Sequence, residues 1–333
     1  MKFSGKIFVT IITLCVMFMI VISVPAQIYA QEDTGETVKT EDTEKTEETE
    51  SMEEAGTSFN QGLELYYQKK WGDSMEFFKE TFQKDPLDTM SLSFYMGASY
   101  KNNELIQTVN KIEQATIEGG NTPILRAHLG IAYMSRGFIE PDMLDEALSQ
   151  LKGALKDNPD LSVANTGMGM LYFRKRLIPR AKGYFIKALK SNENDLMAIE
   201  LLGNILLIDE KNPEVALEFF QKLIQLSPNY SDGYFMAGSA CQRMDKKEEA
   251  IKYFQTCMEK DPMGVMKGYD APLRMGDIYL GEQNYDEAIK YYKKALKINP
   301  ENPYAKTMLE KAEARGKQWK GEKYDPMKDK IKD

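Results

Sequence analysis

One glycine position recurs through most of this chain at intervals close to 34 residues. Successive intervals are 35, 33, 39, 34, 35 and 38 residues, and the series is Gly62, Gly97, Gly130, Gly169, Gly203, Gly238 and Gly276. After each glycine come a small residue, a bulky residue four positions later, and another mostly small residue three positions after that. Tandem units of fixed period bury their apolar faces against their neighbours, so the chain is predicted to fold as a repeat solenoid.

The last copy shows most clearly that the repeating unit is helical. One apolar stripe at positions i, i+1, i+4, i+7 and i+8 is formed by Ala288, Ile289, Tyr292, Ala295 and Leu296. A proline that follows predicts the end of the helix. Small residues let two helices approach closely, so each glycine is expected to face the small residues of its second helix, with the bulky residue against the next unit. The two longest intervals predict extra residues at 137–144 and 264–268.

This order of apolar, Gly, Tyr, Ala, Phe, Ala and Pro positions resembles the tetratricopeptide repeat, whose period is 34 residues. The resemblance covers residues 55–302. It implies an all-α fold, a right-handed α-solenoid of about seven helix pairs. The family pattern is weakest in the second unit, at Glu193 in a proline position, and at Leu223 in a small-residue position.

A further helix is expected to cap the open end of the solenoid, because terminal repeat surfaces need covering. It is predicted at residues 303–315, so the folded domain spans 55–316. The residues expected on its buried side are Tyr304, Met308, Leu309 and Ala312.

Both ends of the chain differ from the repeats in composition. Lys2 and Lys6 precede an apolar run at residues 7–24. Residues 1–30 are therefore predicted to be an export segment, either a signal peptide cleaved after Ala30 or a retained membrane anchor. Either way the repeats are predicted to lie outside the cytoplasm, in the periplasm or cell envelope.

Two charged segments flank the predicted solenoid. Residues 31–54 carry 11 acidic residues and little apolar content, which predicts a disordered linker. Residues 317–333 are predicted to be a charged tail. The leader and the linker account for all but one unit of the net charge of −8, so the repeats have no marked overall charge.

The sequence offers few residues for catalysis. His128 is the only histidine, which excludes multi-histidine metal sites within one chain. Gly167 and Gly169 lie inside a helix and not between a strand and a helix, so they do not form a phosphate-binding loop. Cys241 and Cys257 occupy core positions of one unit, where two buried thiols and a disulfide are both considered. No catalytic, cofactor-binding or metal-binding residue is predicted.

The function is therefore expected to depend on binding at the surface of the repeats. In the family that the chain resembles, the first helix of each unit lines a concave groove that binds extended peptides or partner helices. In the first four units, the groove positions of the first helices are mostly apolar, which predicts an exposed apolar surface that contacts a partner. The predicted contact residues are Phe59, Leu63, Phe94, Ala127, Ile131 and Met170. Glu200 and Asp277 make the later units more polar. Bulky residues at these positions can instead pack against the neighbouring unit.

These features predict an exported, non-enzymatic scaffold for protein partners in the cell envelope. An accessory subunit of an envelope assembly or secretion machine is an alternative, and a hydrolase with a carboxylate site in the groove is an alternative of another class. No unit has the Lys and Asn pair of the family's carboxylate clamp at its groove positions, so that clamp is not expected. No basic stripe with interleaved aromatic residues is evident, so nucleic acid is not an expected partner. Membrane contact is expected only through residues 1–30, if they are retained.

Overall fold

The computed structural model describes residues 47–319, with side chains from residue 56 onward. Within this range all regular elements are helical, and fifteen α-helices form seven consecutive pairs followed by one further helix. The helices are α1 Glu47–Tyr67, α2 Trp71–Lys84, α3 Thr89–Lys101, α4 Leu105–Glu118, α5 Pro123–Arg136, α6 Met143–Asp157, α7 Ser162–Arg174, α8 Ile178–Ser191, α9 Leu196–Ile208, α10 Pro213–Leu226, α11 Ser231–Arg243, α12 Lys247–Lys260, α13 Ala271–Gly281, α14 Tyr285–Ile298 and α15 Pro303–Trp319. The prediction of an all-α fold with seven helix pairs and a C-terminal helix is confirmed.

The chain divides into two compact units. Among the described residues, the first unit consists of residues 47–66 and Lys70–Ser227 and contains helix pairs one to five. The second consists of Tyr67–Lys69 and residues 228–319, and contains pairs six and seven with α15.

The repeated glycine lies against the bulky residue of the second helix in its own pair. A Cβ atom built on Gly169 would lie 2.4 Å from Cε1 of Phe185, and in five other pairs the corresponding distance is 2.6–2.8 Å. The ring or branched side chain therefore fills the space that a side chain on the first helix would need. This corrects the expectation that the glycine faces the small residues. The bulky residue can also reach the next pair, since Leu151 lies against Gly167.

The second helix pair is the exception. Around Gly97 the only atom within 4 Å of a built Cβ is the hydroxyl oxygen of Tyr66, at 3.6 Å. No bulky side chain of α4 reaches this glycine. The weak repeat pattern of this unit thus corresponds to a real difference in packing.

Both predicted insertions lie in loops. Residues 137–142 separate α5 from α6, and residues 261–270 separate α12 from α13. In the second loop the buried carboxylate of Asp261 accepts hydrogen bonds from three backbone N–H groups at 2.8–3.0 Å. A Cβ atom on Gly268 would lie 2.1 Å from the carbonyl oxygen of Asp261, so only glycine fits there.

Two predicted boundaries differ from the structure. Helix α1 begins at Glu47, inside the segment 31–54 that was predicted to be disordered. Glutamate is a good helix former, and acidic residues near a helix N-terminus interact favourably with the helix dipole. At the other end α15 continues to Trp319. The predicted export segment 1–30, the rest of the linker and the rest of the tail lie outside the described residues.

The C-terminal helix packs against α14 through the predicted side, except at Tyr304. Met308, Leu309 and Ala312 contribute to the buried cluster as expected. Tyr304 is 47 % exposed, and the adjacent Ala305 is buried in its place. The small alanine side chain fits the contact between the two helices more closely than a tyrosine ring would. Among the helices within residues 47–319, none has the length and apolar character needed to cross a membrane.

Candidate partner-binding surface

Five of the six residues predicted to contact a partner are buried within the first unit. The exposed fractions are 4 % for Phe59, 0 % for Leu63, 8 % for Phe94, 0 % for Ala127 and 1 % for Ile131. The sixth residue, Met170, is partly exposed. The expectation of a contiguous exposed apolar surface at these positions is therefore wrong. The alternative considered above, packing between units, describes these five side chains.

An aromatic cluster shows what these residues do in the fold. The ring centroid of Phe59 lies 5.7 Å from that of Phe78 and 5.7 Å from that of Phe94, and the latter two are 5.1 Å apart. Tyr66 adds an edge-on contact to Phe94 at 5.2 Å. Aromatic pairs of this kind contribute about 0.5–1.5 kcal/mol beyond the area that they bury. The cluster joins α1 and α2 of the first pair to α3 of the second.

The first helices of pairs two to five pack against one another, which accounts for the burial of Phe94, Ala127 and Ile131. Helix α3 contacts α5, and it also contacts α7 and α9. Where these helices begin, the carboxylate of Asp195 accepts hydrogen bonds from Thr89 Oγ1 at 2.9 Å and Thr166 Oγ1 at 2.6 Å. The same carboxylate caps α9 through the backbone N–H of Ala198, at 3.1 Å. Burial raises the pKa of Asp195, although all three hydrogen bonds oppose the rise.

The polar groove positions of the later units, Glu200 and Asp277, are also involved in contacts within the fold. Glu200 is buried, with 5 % of its surface exposed. Asp277 is partly exposed, and its Oδ1 accepts hydrogen bonds from the hydroxyls of Tyr292 and Tyr304, each at 2.8 Å. Burial, together with the hydrogen bond to Asp277 and its charge, raises the pKa of Tyr304 to about 12. This carboxylate therefore helps to hold α15 in the second unit.

A different surface, on the fourth helix pair, combines basic and aromatic side chains. Tyr172 and Tyr184 stack with their ring centroids 5.4 Å apart and an interplanar angle of 13°. The guanidinium of Arg180 lies 5.6 Å from the ring centroid of Tyr172, and the ammonium of Lys187 lies 5.5 Å from that of Tyr184. Ile186 of the same helix is 43 % exposed. Tyr172, Tyr184, Arg180 and Lys187 are called the basic–aromatic face below.

The basic–aromatic face was missed because charge was summed over all the repeats. Residues 174–190 contain seven basic residues and no acidic ones, a local excess that the near-zero total conceals. Contrary to the expectation from the sequence, this helix pair therefore has a basic stretch with interleaved aromatic residues.

The histidine and the two cysteines of the repeats are buried in the fold. His128 is 6 % exposed, its Nε2 lies 2.7 Å from the carbonyl oxygen of Pro86, and burial lowers its pKa. Cys241 and Cys257 are buried and unbonded, and burial raises the pKa of both thiols. In the part of the chain that the structure describes, no group of three or more His, Cys, Asp or Glu side chains is placed to hold a metal ion.

Comparison with known proteins gives matches in both units. Models of the tetratricopeptide repeat match residues 166–231, 231–262 and 273–302. The UDP-N-acetylglucosamine–peptide N-acetylglucosaminyltransferase of Giardia intestinalis is 24 % identical over 148 residues, which are 44 % of this chain and 10 % of that protein. Hsp70-Hsp90 organizing protein 3 of Arabidopsis thaliana is 30 % identical over 100 residues, which are 30 % of this chain and 17 % of that protein.

Among solved structures, the crystal structure of YrrB, described as a TPR protein with an unusual peptide-binding site, aligns with a TM-score of 0.47 at 24 % identity. That alignment covers 59 % of this chain and 96 % of YrrB. This chain spans less than a fifth of the length of either of the two curated relatives named above.

Proposed function

We propose that this chain, a tetratricopeptide repeat protein, is a non-enzymatic scaffold that binds protein partners in the cell envelope. The observation that carries the proposal is the series of seven helix pairs, matched by repeat models from the fourth pair to the seventh. One relative carries an organizing function in its name. The relative named as a transferase aligns with this chain over only 10 % of its length. The envelope setting is supported by the apolar run at residues 7–24, and an accessory subunit of an assembly or secretion machine is the narrower form of the proposal.

The basic–aromatic face is the proposed contact surface, and an acidic protein segment is its proposed partner. Helix α8 carries four basic residues and no acidic ones, so the charge of the face favours an acidic partner. Stacking holds the two tyrosine rings in place. Aromatic and arginine side chains are enriched where interfaces gain most of their binding energy. Met170, the partly exposed member of the six positions predicted from the sequence, is retained as a proposed contact.

The seventh helix pair provides a matched control for this surface. Tyr279 and Tyr291 stack there with ring centroids 5.5 Å apart, and the ammonium groups of Lys290 and Lys294 each lie 5.3 Å from the ring of Tyr291. Lys290 is also paired with Glu287 of the same helix. The two surfaces therefore share ring geometry but differ in local charge.

Affinity capture from envelope fractions tests the proposal. The wild-type chain is compared with the double variant Arg180→Glu/Lys187→Glu and with the control Lys290→Glu/Lys294→Glu, which changes the charge equally. Partners are expected to be retained by the wild type and the control and lost by the first variant. Loss of the same proteins by both variants would show a general charge effect and contradict the assignment. Retention of nucleic acid in place of protein would contradict the proposed partner class.

A further inference from the structure

A cavity of about 180 Å³ lies in the first unit, near the ends of α2 and α10 and the starts of α3 and α9. Three acidic residues, Asp85, Asp88 and Asp195, line it, and none of its lining residues is basic. Apolar side chains, including Phe59 and Leu226, form another part of the wall. Leu226 is 39 % exposed, so its side chain reaches both the cavity and the solvent. The cavity thus combines concentrated negative charge with an apolar side.

Two of the carboxylates keep unused capacity to accept hydrogen bonds. Asp85 Oδ1 accepts the N–H of Leu87 at 3.0 Å. Asp88 caps α3 by accepting the N–H of Ser91 at 3.0 Å, and it also accepts the Ser91 hydroxyl. An ionised carboxylate offers about four acceptor positions. Burial raises the pKa of Asp88 to about 6, and the charges of Asp85 and Asp195 add to the rise. A cation in the cavity would offset this repulsion.

Two polar atoms on residues of the wall have no partner. Ser227 is 2 % exposed, and its Oγ makes no hydrogen bond. The Oδ1 atom of Asn60 is likewise buried without a donor. An unsatisfied buried polar group destabilises the fold, so such groups normally have a partner. Both residues line the same cavity, which points to an occupant that supplies several hydrogen-bond donors.

We propose that this cavity binds a primary ammonium group at the end of an alkyl chain. An ammonium group offers three donors and no acceptor, which matches carboxylate, amide and hydroxyl oxygens. Its alkyl chain would lie along Phe59 and Leu226, as lysine stems lie along apolar surfaces while their charged ends reach polar groups. The cavity volume is well above the ~10–15 Å³ that one water needs. The source is either a lysine side chain of another protein or a free alkylamine. The site is separate from the basic–aromatic face and does not depend on the proposed function.

Calorimetric titration of the full-length chain with pentylammonium tests this site, with 1-pentanol as the uncharged probe of similar shape. Pentylammonium is expected to bind at least about tenfold more tightly than the alcohol, because hydrogen bonds to charged groups are stronger than those between neutral groups. Asp88→Asn removes the charge but keeps a good helix cap, and is expected to weaken binding about tenfold. Asp160→Asn, on an exposed loop outside the cavity, is the matched control and should leave binding unchanged.

Ser227→Ala provides a second variant that removes an unsatisfied hydroxyl and is expected to fold normally while weakening binding. N-acetyl-lysine amide distinguishes the two sources. Binding as tight as that of pentylammonium supports a protein side chain, and binding of the free amine alone supports a small molecule. Equal binding of the alcohol and the ammonium, unchanged binding in both Asp88→Asn and Ser227→Ala, or tighter binding of butylguanidinium would overturn the assignment. None of these results affects partner capture by the basic–aromatic face.

Discussion

At the scale of single residues, the repeated glycine is defined by one close contact. In the fourth pair the Phe185 ring occupies the space beside Gly169, whereas Gly183, on the adjoining helix, has no atom within 4 Å of a built Cβ. The two positions thus separate the packing effect of glycine from its helix propensity.

Gly169→Ala is expected to destabilise the protein by about 1–3 kcal/mol, because the added methyl group overpacks the contact with Phe185. Gly183→Ala should be neutral or stabilising by up to about 1 kcal/mol, because alanine favours the helix. The urea midpoint of each variant, followed by circular dichroism, checks this pair. Equal shifts in the same direction would show that ring contact does not determine the glycine position.

Asp232 gives a prediction about pH. It is fully buried in the second unit, and burial raises its pKa to about 7; nearby Lys267 opposes the rise and Asp261 adds to it. The folded state therefore binds this proton more tightly than the unfolded state, where the pKa is near 3.9. The contribution of Asp232 to stability is fully present below that value and is lost as the pH rises through about 7.

The wild-type protein should accordingly lose more thermal stability between pH 5 and pH 8 than the Asp232→Asn variant, whose amide cannot ionise. Melting temperatures at the two pH values provide the comparison. Parallel losses in the two proteins would rule out Asp232 as a source of the pH dependence.

At the scale of elements, the short turns inside the helix pairs share a backbone conformation. In the described chain, six of the seven turns contain a non-glycine residue in the left-handed region, with φ between 53° and 64°: Lys69, Asn103, Arg176, Lys211, Asp245 and Gln283. The third pair, with its longer turn, has none at that point. Such a conformation costs about 1–2 kcal/mol for a residue with a Cβ atom. Packing of the two helices of each pair offsets this cost.

Lys211 tests the cost of this turn conformation. Lys211→Gly is expected to be neutral or mildly stabilising, since glycine adopts positive φ readily. Lys211→Val should destabilise by about 1 kcal/mol or more, because a β-branched residue is poorly suited to it. Chemical denaturation should therefore give a higher midpoint for Lys211→Gly than for Lys211→Val. The reverse order would mean that the turn does not keep a left-handed residue in solution.

The sequence predicted these elements well because their signals are local. Glycine and alanine positions, apolar stripes and prolines such as Pro159 and Pro228 lie within one or two helices of the features they determine. The two insertions were located for the same reason. The start of α1 was not predicted, because residues 47–54 have a composition typical of disorder. These residues belong to the same helix as the later part of α1, which packs in the fold.

At the scale of the whole molecule, the burial of the expected groove positions could not be predicted from the sequence, because it depends on contacts with residues that are distant in the chain. Phe94 is apolar and lies at a groove position of the repeat. It is nevertheless buried, because its helix α3 packs against α7 and α9 as well as against its neighbours. The hydrogen bond from Thr89 to Asp195 joins residues 106 positions apart. The repeat period does not reveal how closely such helices approach one another. The basic–aromatic face, by contrast, was recognisable as a local excess of basic residues.

The positions expected to line a groove build the fold, whereas the helix that carries the basic–aromatic face has an exposed side. Phe94 and Ile186 represent these two settings, with exposed fractions of 8 % and 43 %. Equilibrium urea unfolding of Phe94→Ser and Ile186→Ser compares them directly. Phe94→Ser is expected to lose about 3–5 kcal/mol, as for other large-to-small changes of buried phenylalanine. Ile186→Ser should stay within about 0.5 kcal/mol of the wild type. Near wild-type stability of Phe94→Ser would contradict the claim and return Phe94 to an exposed groove.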